Sequence, residues 1–257
     1  MLVFDEGKKA EQLLQKGCSS LKNIGKEKAI ICRYLKTLGK TDDEILVEMK
    51  KADKKLSIYK YMDEDDIERI YRNIIVKANE FPYIHNIECS IYKSEMDIIM
   101  NIKDESLRKL LFVYLVHYKW SCQIQWRTFP LYGKIWCLDD DLDLFKFAKI
   151  GTTRKDRRDK LIRKLFHSGL YESLIIKTKY RYNIPFAVNS GEEVIRIKNY
   201  EDLIGYMDYY LGEKVLCQEC GKPIKRNFPN EKYCNGCADI VKRRKATERK
   251  RKQKSRF

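Results

Sequence analysis

Apolar positions over the first 80 residues recur with a helical period. Residues 5–17 align Ala10, Leu13 and Leu14, and residues 26–38 align Ile30, Ile31, Tyr34 and Leu35 before stopping at Gly39. Thr41-Asp-Asp-Glu44 has the spacing of a capping box and opens a helix through Ile45, Leu46 and Met49. Residues 63–79 give a fourth helix, with Ile67, Ile70, Tyr71, Ile74 and Ile75 on one face. No residue in this stretch carries evident chemistry. It reads as a small helical domain over 1–80.

The pattern changes over 81–212. After the turn-like FPYIHN, the segments KSEMDIIMNI and ESLRKLLFVYLVHYK read as helices. The second is apolar around most of its circumference, which predicts a buried helix and makes His117 a core histidine. DDDLDLFKFAKI predicts a short helix with acids in its first turn, where they favour the helix dipole. Asp139, Asp140, Asp141 and Asp143 have no neighbours that would complete a magnesium site. A GTT turn follows. RKDRRDKLIRKLFHSGL then predicts a second helix, with Leu161, Ile162, Leu165 and Phe166 inward and Gly169 at its end. ESLIIKTK and PFAVNSGEEVIRIK are rich in strand formers, with NSGEE as a turn. NYEDLIGYMDYYLGE gives a last helix.

Helix, short turn, helix and β-hairpin is the element order of a winged helix. Its recognition helix would carry Arg154, Lys155, Arg157, Arg158, Lys160, Arg163 and Lys164. Its first residues would meet base edges and the rest phosphate. Lys177, Lys179 and Arg181 would decorate the strand edges or wing. Two other uses of such a segment stand beside DNA contact: docking of a protein, and a merely solvated basic face.

Nine cysteines occur in the chain. Cys18, Cys32, Cys89, Cys122 and Cys137 are scattered among apolar or helical surroundings and read as small buried hydrophobes. The other four are ordered. Cys217-x2-Cys220, thirteen intervening residues and Cys234-x2-Cys237 is zinc-ribbon spacing over 213–240. Each two-residue gap lets both sulfurs reach one ion, and the intervening KPIKRNFPNEKY suits a short hairpin. Four thiolates fill a tetrahedron around Zn²⁺, so the expected ion is structural and non-catalytic. An iron–sulfur cluster or a redox CxxC pair are the competing uses of such thiols. So short a ribbon cannot fold on its own core and would take its folding energy from the metal.

Charge sharpens the picture. Residues 241–257 hold ten Lys or Arg against the single acid Glu248, a balance of +9 out of a net +16 for the chain. Such asymmetry points to a polyanionic partner, nucleic acid or an anionic membrane surface. Lys242, Arg243, Arg244, Lys245, Arg249, Lys250, Arg251 and Lys252 would form a phosphate-binding arm rooted on the ribbon, a helix trailing into disorder. A solvated tail that aids solubility is the plainer alternative.

No run approaches the length of a membrane span, and the first residues lack a signal-peptide pattern, which places the expected protein in the cytoplasm. The three histidines flank no nucleophile signature, and neither phosphate-cradling glycine motif occurs. The expectation is therefore a non-enzymatic protein. Its fold class is mainly α with a small β component: a helical N-terminal domain, a winged-helix-like domain, and a C-terminal four-cysteine zinc ribbon with a basic tail.

The segments AEQLLQKG with RYLKTLGKTDDEI, YKSEMDIIMNIKDESLRKLLFVYLVHYK, LFKFAKI…LIRKLFHSGLYES and YLGEKVLCQECGKPIK…KYCNGCADIVKRRKATERKRK together span most of the chain. In this layout it resembles DNA-associated accessory proteins of Gram-positive phages and mobile elements. The resemblance implies a role in replication, recombination or transcription control, with DNA as partner. A second function class is a protein-interaction adaptor. An example is a recombination directionality factor that docks on an integrase, recombinase or replication enzyme. RNA binding is a third reading, without a supporting strand motif.

Overall fold

A computed structural model describes residues 2–18, 23–53, 62–124, 127–138, 141–151, 155–176, 178–226, 228 and 230–254. Helix dominates, with a small β part, and the chain divides into two compact units, Met1–Ile87 and Glu88–Phe257.

The first unit is helical. Its elements are α1 (Glu6–Lys16), α2 (Ile24–Thr37), α3 (Asp42–Ala52) and α4 (Glu64–Ala78). Three of the four starts carry a side-chain cap. Asp5 accepts the amide of Lys8 at 3.1 Å, and Asp63 accepts that of Asp66 at 2.8 Å. The capping box at Thr41 is formed in both directions: the Thr41 amide donates to Glu44 Oε2 at 2.9 Å, and the Glu44 amide donates back to Thr41 Oγ1 at 3.3 Å. The helices bury one stripe each, meeting through Leu13, Ile31, Leu35, Ile45, Met49, Ile67, Tyr71 and Ile75. Cys18 and Cys32 lie in this core, and burial pushes both thiols up, Cys18 to about 11.

The second unit is built around a long apolar helix. Its elements are β1 (Cys89–Tyr92), α5 (Lys93–Met100), α6 (Glu105–Cys122), β2 (Thr128–Leu131), β3 (Lys134–Leu138), α7 (Asp141–Phe147), α8 (Lys155–His167), β4 (Glu172–Ile176), β5 (Lys179–Asn183), β6 (Glu193–Ile197), α9 (Leu203–Tyr210), β7 (Val215–Leu216), β8 (Pro223–Ile224) and α10 (Asn235–Lys254). Every residue of α6 from Leu110 to His117 is buried. His117 is a core histidine as its surroundings in the sequence imply. Its Nε2 faces Arg127 Nη2 at 3.3 Å and its Nδ1 contacts the Tyr182 hydroxyl.

Strand pairing departs from the sequence expectation in two places. PFAV forms no strand. Pro185 lacks an amide to give to a ladder, the Ala187 amide closes a turn on Ile184 O at 3.1 Å, and the Val188 amide is taken by Glu95 Oε1 at 2.9 Å. The strand begins at Glu193, and β6 pairs antiparallel with β1. The partner of β4 is instead β5, whose sequence KYRYN is too polar to stand out. A further hairpin, β2–β3, turns at Tyr132-Gly133 with both residues at positive φ (53° and 69°), the geometry of tight two-residue hairpins. Together these strands make one antiparallel sheet in the order β2-β3-β5-β4.

Tyrosines root that sheet on α6. Tyr182 packs against Tyr114 with centroids 4.9 Å apart and stacks on Tyr171 at 5.6 Å. Its face of β5 is thereby fixed, and the opposite face follows.

Candidate metal centre and cationic helices

Strands β7 and β8 pair in the register Val215↔Ile224 and Leu216↔Pro223, so their turn carries Cys217 and Cys220. The hairpin thus straddles the first knuckle, and β8 is the one strand assigned between the knuckles among the described residues. The knuckle closes through the Gly221 amide on Cys217 O and the Cys217 amide on Lys222 O, both at 2.9 Å. Gly221 sits at φ 69°, where a side chain would be strained.

Cys234 and Cys237 come from the other side. Cys234 immediately precedes α10, and Cys237 lies in its first turn, so the second knuckle is the root of that helix. The Cys234 amide donates to Cys217 Sγ at 3.3 Å, and the Gln218 amide reaches Lys232 O at 2.9 Å, tying the knuckles together.

All four sulfurs lie within 4.8 Å of one another, close enough to hold one metal ion. Cys220 and Cys234 are 3.8 Å apart at sulfur. Four ligands in a tetrahedron at a metal–sulfur distance near 2.3 Å would be separated by about 3.8 Å. Electrostatics favours one thiolate strongly. Burial works against ionisation of Cys217, but the amides of Cys220, Cys234 and Glu219 aimed at its sulfur outweigh it and hold the thiol down at about 6. Burial pushes Cys220 and Cys237 up, reinforced by the neighbouring thiols. Gathering four thiolates here therefore calls for a cation.

The ribbon sits on α9. The Tyr206 hydroxyl donates to Gly221 O at 2.8 Å and accepts the Asn199 amide at 3.2 Å. Gly205 lets α9 approach closely, since a Cβ there would lie 2.9 Å from Pro223 Cβ. Lys222 pairs with Glu201 at 2.9 Å. The four-cysteine cluster is thus part of the second unit's packing and not a bead on a string, which the cysteine spacing alone does not reveal.

The cations expected to meet nucleic acid fall into two groups. On α8, Lys155, Arg157 and Lys160 are exposed, as are Arg163 and Lys164. Arg158 is only half-exposed; its Nε and Nη1 are shielded from solvent without a hydrogen-bond partner among the described residues. Asp156 and Asp159 interleave with these cations and temper the face, and Lys164 pairs with Asp104 at 3.2 Å. Lys179 is exposed on β5, whereas Arg181 lies over the Phe129 ring at 5.4 Å. Arg154 and Lys177 lie outside the described residues, as do Asp139 and Asp140.

The second group lines α10. Lys242, Arg243, Arg244, Lys245, Arg249 and Arg251 are exposed, and the helix continues through Lys250 and Lys252, whose side chains are not described. Val241 is the last buried residue among its described side chains. Arg244 pairs with Glu219 of the first knuckle at 2.7 Å, so one cation of the arm is already engaged.

Sequence reading overlooked two surface features. Lys225, Arg226 and Phe228 are all exposed in the segment between the knuckles, a charge-plus-ring pattern visible in RNF. Ile175 and Tyr180 are exposed near the end of the β4–β5 hairpin. The second could not be found without knowing that β5 exists. Among the described residues, no helix is long and apolar enough to cross a membrane. No family model matches this chain, and neither a curated protein nor a solved structure gives a match.

Proposed function

We propose that the protein is a non-enzymatic DNA-binding accessory protein that grips DNA through two cationic helices, α8 and α10. The observation that carries this reading is the pair of exposed basic helices rooted separately in one compact unit, in a chain of net charge +16. Helix α6, strands β2 and β3, helices α7 and α8 and strands β4 and β5 follow one another, and the β3-β5-β4 part of the sheet, with β2 added at its edge, supports a winged-helix assignment. In that assignment α8 enters the major groove, with Lys155, Arg157 and Lys160 foremost.

Zn²⁺ is the ion we assign to Cys217, Cys220, Cys234 and Cys237. Four thiolates leave no open coordination position, so the ion supplies folding energy and fixes the root of α10. Two linked grips raise each other's effective concentration, so modest contacts combine. The pathway is taken from the resemblance to accessory proteins of phages and mobile elements.

Fluorescence anisotropy of the full chain on random duplex DNA across a salt series tests the reading. With 6–10 phosphate contacts, affinity falls on the order of 10³–10⁵-fold between 50 and 200 mM salt. Replacing Lys242, Arg243, Arg244 and Lys245 by glutamine flattens the slope by about 0.9 per lost phosphate contact. A flat response of the unaltered chain overturns the reading.

A second reading has its own observation. Val76 and Leu38 of the first unit are 65% and 58% exposed, and Val47 and Ile70 are also exposed. Such side chains suit a protein partner, and the adaptor class would place an integrase, recombinase or replication enzyme there. Retention of that enzyme at high salt by the glutamine-substituted chain, with no DNA bound, favours the adaptor.

A further inference from the structure

We propose that the end of the β4–β5 hairpin is an apolar wedge that enters the minor groove of duplex DNA and kinks it; this rests on the DNA-binding reading above. Ile175 and Tyr180 are direct cross-strand partners, so their side chains stand together on one face of the hairpin. They are 59% and 66% exposed, although each is a large hydrophobic side chain.

The reason is geometric. Tyr182 lies on the same face two residues further along β5 and is fully buried against Tyr114 and Tyr171. One pair step, roughly 7 Å along the strand, carries the face from the packed core into solvent. The hairpin overhangs its support by that step. The overhang is backed by a stiff root. Asn183 donates to Glu172 at 2.9 Å at the far end of the hairpin, and Glu172 also pairs with Lys134 of β3 at 2.6 Å. The connection at Thr178 is tight, with Thr178 at φ 65°.

Charge selects the occupant. Lys179 is exposed beside Tyr180, on the other face of β5, and the chain as a whole carries a net charge of +16. An aliphatic and an aromatic side chain beside an exposed lysine, in a strongly basic chain, match a groove floored by base edges and walled by phosphates. Apolar side chains inserted between base steps unstack them and bend the duplex away, by roughly 20–90°.

The test separates bending from binding. A short duplex labelled at both ends is titrated with the full chain and with the Ile175→Thr/Tyr180→Thr variant, reading anisotropy for binding and energy transfer for end-to-end distance. Threonine keeps strand propensity and removes the apolar surface, and both positions are exposed, so folding is preserved. A separate Tyr180→Trp variant, which keeps the wedge, guards against a folding artefact. The expected result is a bent duplex with the parent chain and with Tyr180→Trp, and a straight duplex still bound by the double variant. A duplex bound straight by the parent, or bent equally by the double variant, overturns the inference and leaves DNA binding intact. Parent chains that bind DNA unbent but self-associate only when Ile175 and Tyr180 are present would assign the patch to a second copy, which also overturns it. Absence of any binding by the parent defeats the DNA-binding reading itself and this inference with it.

Discussion

Lys28 and Asp53 form an ion pair at 2.7 Å with neither side chain exposed. Lys28 also donates to Met49 O and lies 5.0 Å from the Tyr71 ring centroid, and Tyr71 donates its hydroxyl to Asp53. The pair joins α2 to the end of α3 and, through Tyr71, to α4. Removing one partner of a buried pair leaves the other charge uncompensated, so Lys28→Met costs about 3–5 kcal/mol. Lys28→Met/Asp53→Asn recovers much of that loss. Urea unfolding of the full chain, followed by its helical signal, checks both.

Glu172 gives the β2–β5 sheet an acid limit. Its hydrogen bond from Lys134 holds the carboxyl below its ordinary 4.5 against the opposing effect of burial, with Asn183 assisting. A carboxyl lowered in the folded state stabilises fully above its unfolded pKa and loses that contribution as pH falls through the folded one. Glu172→Gln should therefore be less stable than the parent at pH 7, by up to about 1 kcal/mol for so exposed a pair. The gap should close as pH falls below the ordinary 4.5 and through the lowered folded value. Thermal melts of both chains from pH 3 to pH 7 measure it; a constant gap sinks the assignment.

The four-cysteine cluster predicts one ion per chain. Elemental analysis of protein purified without added metal should give one equivalent, and Cys234→Ser should lower retention while leaving most of the helical signal. Ligand thiols must ionise to bind, so acidification releases the ion. Release followed with a chromogenic chelator should rise as pH falls.

The seat of the ribbon should matter as much as its sulfurs. Tyr206→Phe removes the hydroxyl that meets Gly221 O, and Gly205→Ala places a methyl 2.4 Å from Asp202 Oδ2 and 2.9 Å from Pro223 Cβ. Supporting contacts of this kind typically change metal affinity 10–100-fold. Tyr206→Phe should fall near the lower figure and Gly205→Ala should exceed it, in competition with a chelator of known affinity.

The helices could be read from the chain because their signals are local. Asp5, Thr41 and Asp63 cap the helices they precede, and the apolar stripes of α1 to α4 repeat every three to four residues. The four sulfurs could be read because two short spacings suffice. The sheet could not. Strand β1 is four residues long and its partner β6 lies far away in sequence, while β5 alternates Tyr with Lys, Arg and Asn and looks like surface. Pairing across such distances leaves no periodic trace. The seat of the ribbon on α9 was hidden for the same reason: Tyr206 looks like any core tyrosine until Gly221 is beside it.

The β1–β6 pairing also orders events in time. Cys89 and Ile197 are register partners more than a hundred residues apart. At about 5–20 residues per second, a ribosome needs roughly 5–20 seconds between making the one and the other. Through that interval the apolar edge Cys-Ser-Ile-Tyr waits without its partner, and closing so long a loop before the intervening helices and sheet have formed carries a large entropic penalty. The middle of the second unit must therefore condense first, around α6, and draw the two strands together. The nascent chain thus carries a sticky strand for most of the second unit's synthesis, a window in which a chaperone, or a neighbouring nascent copy, competes with β6 for the same backbone.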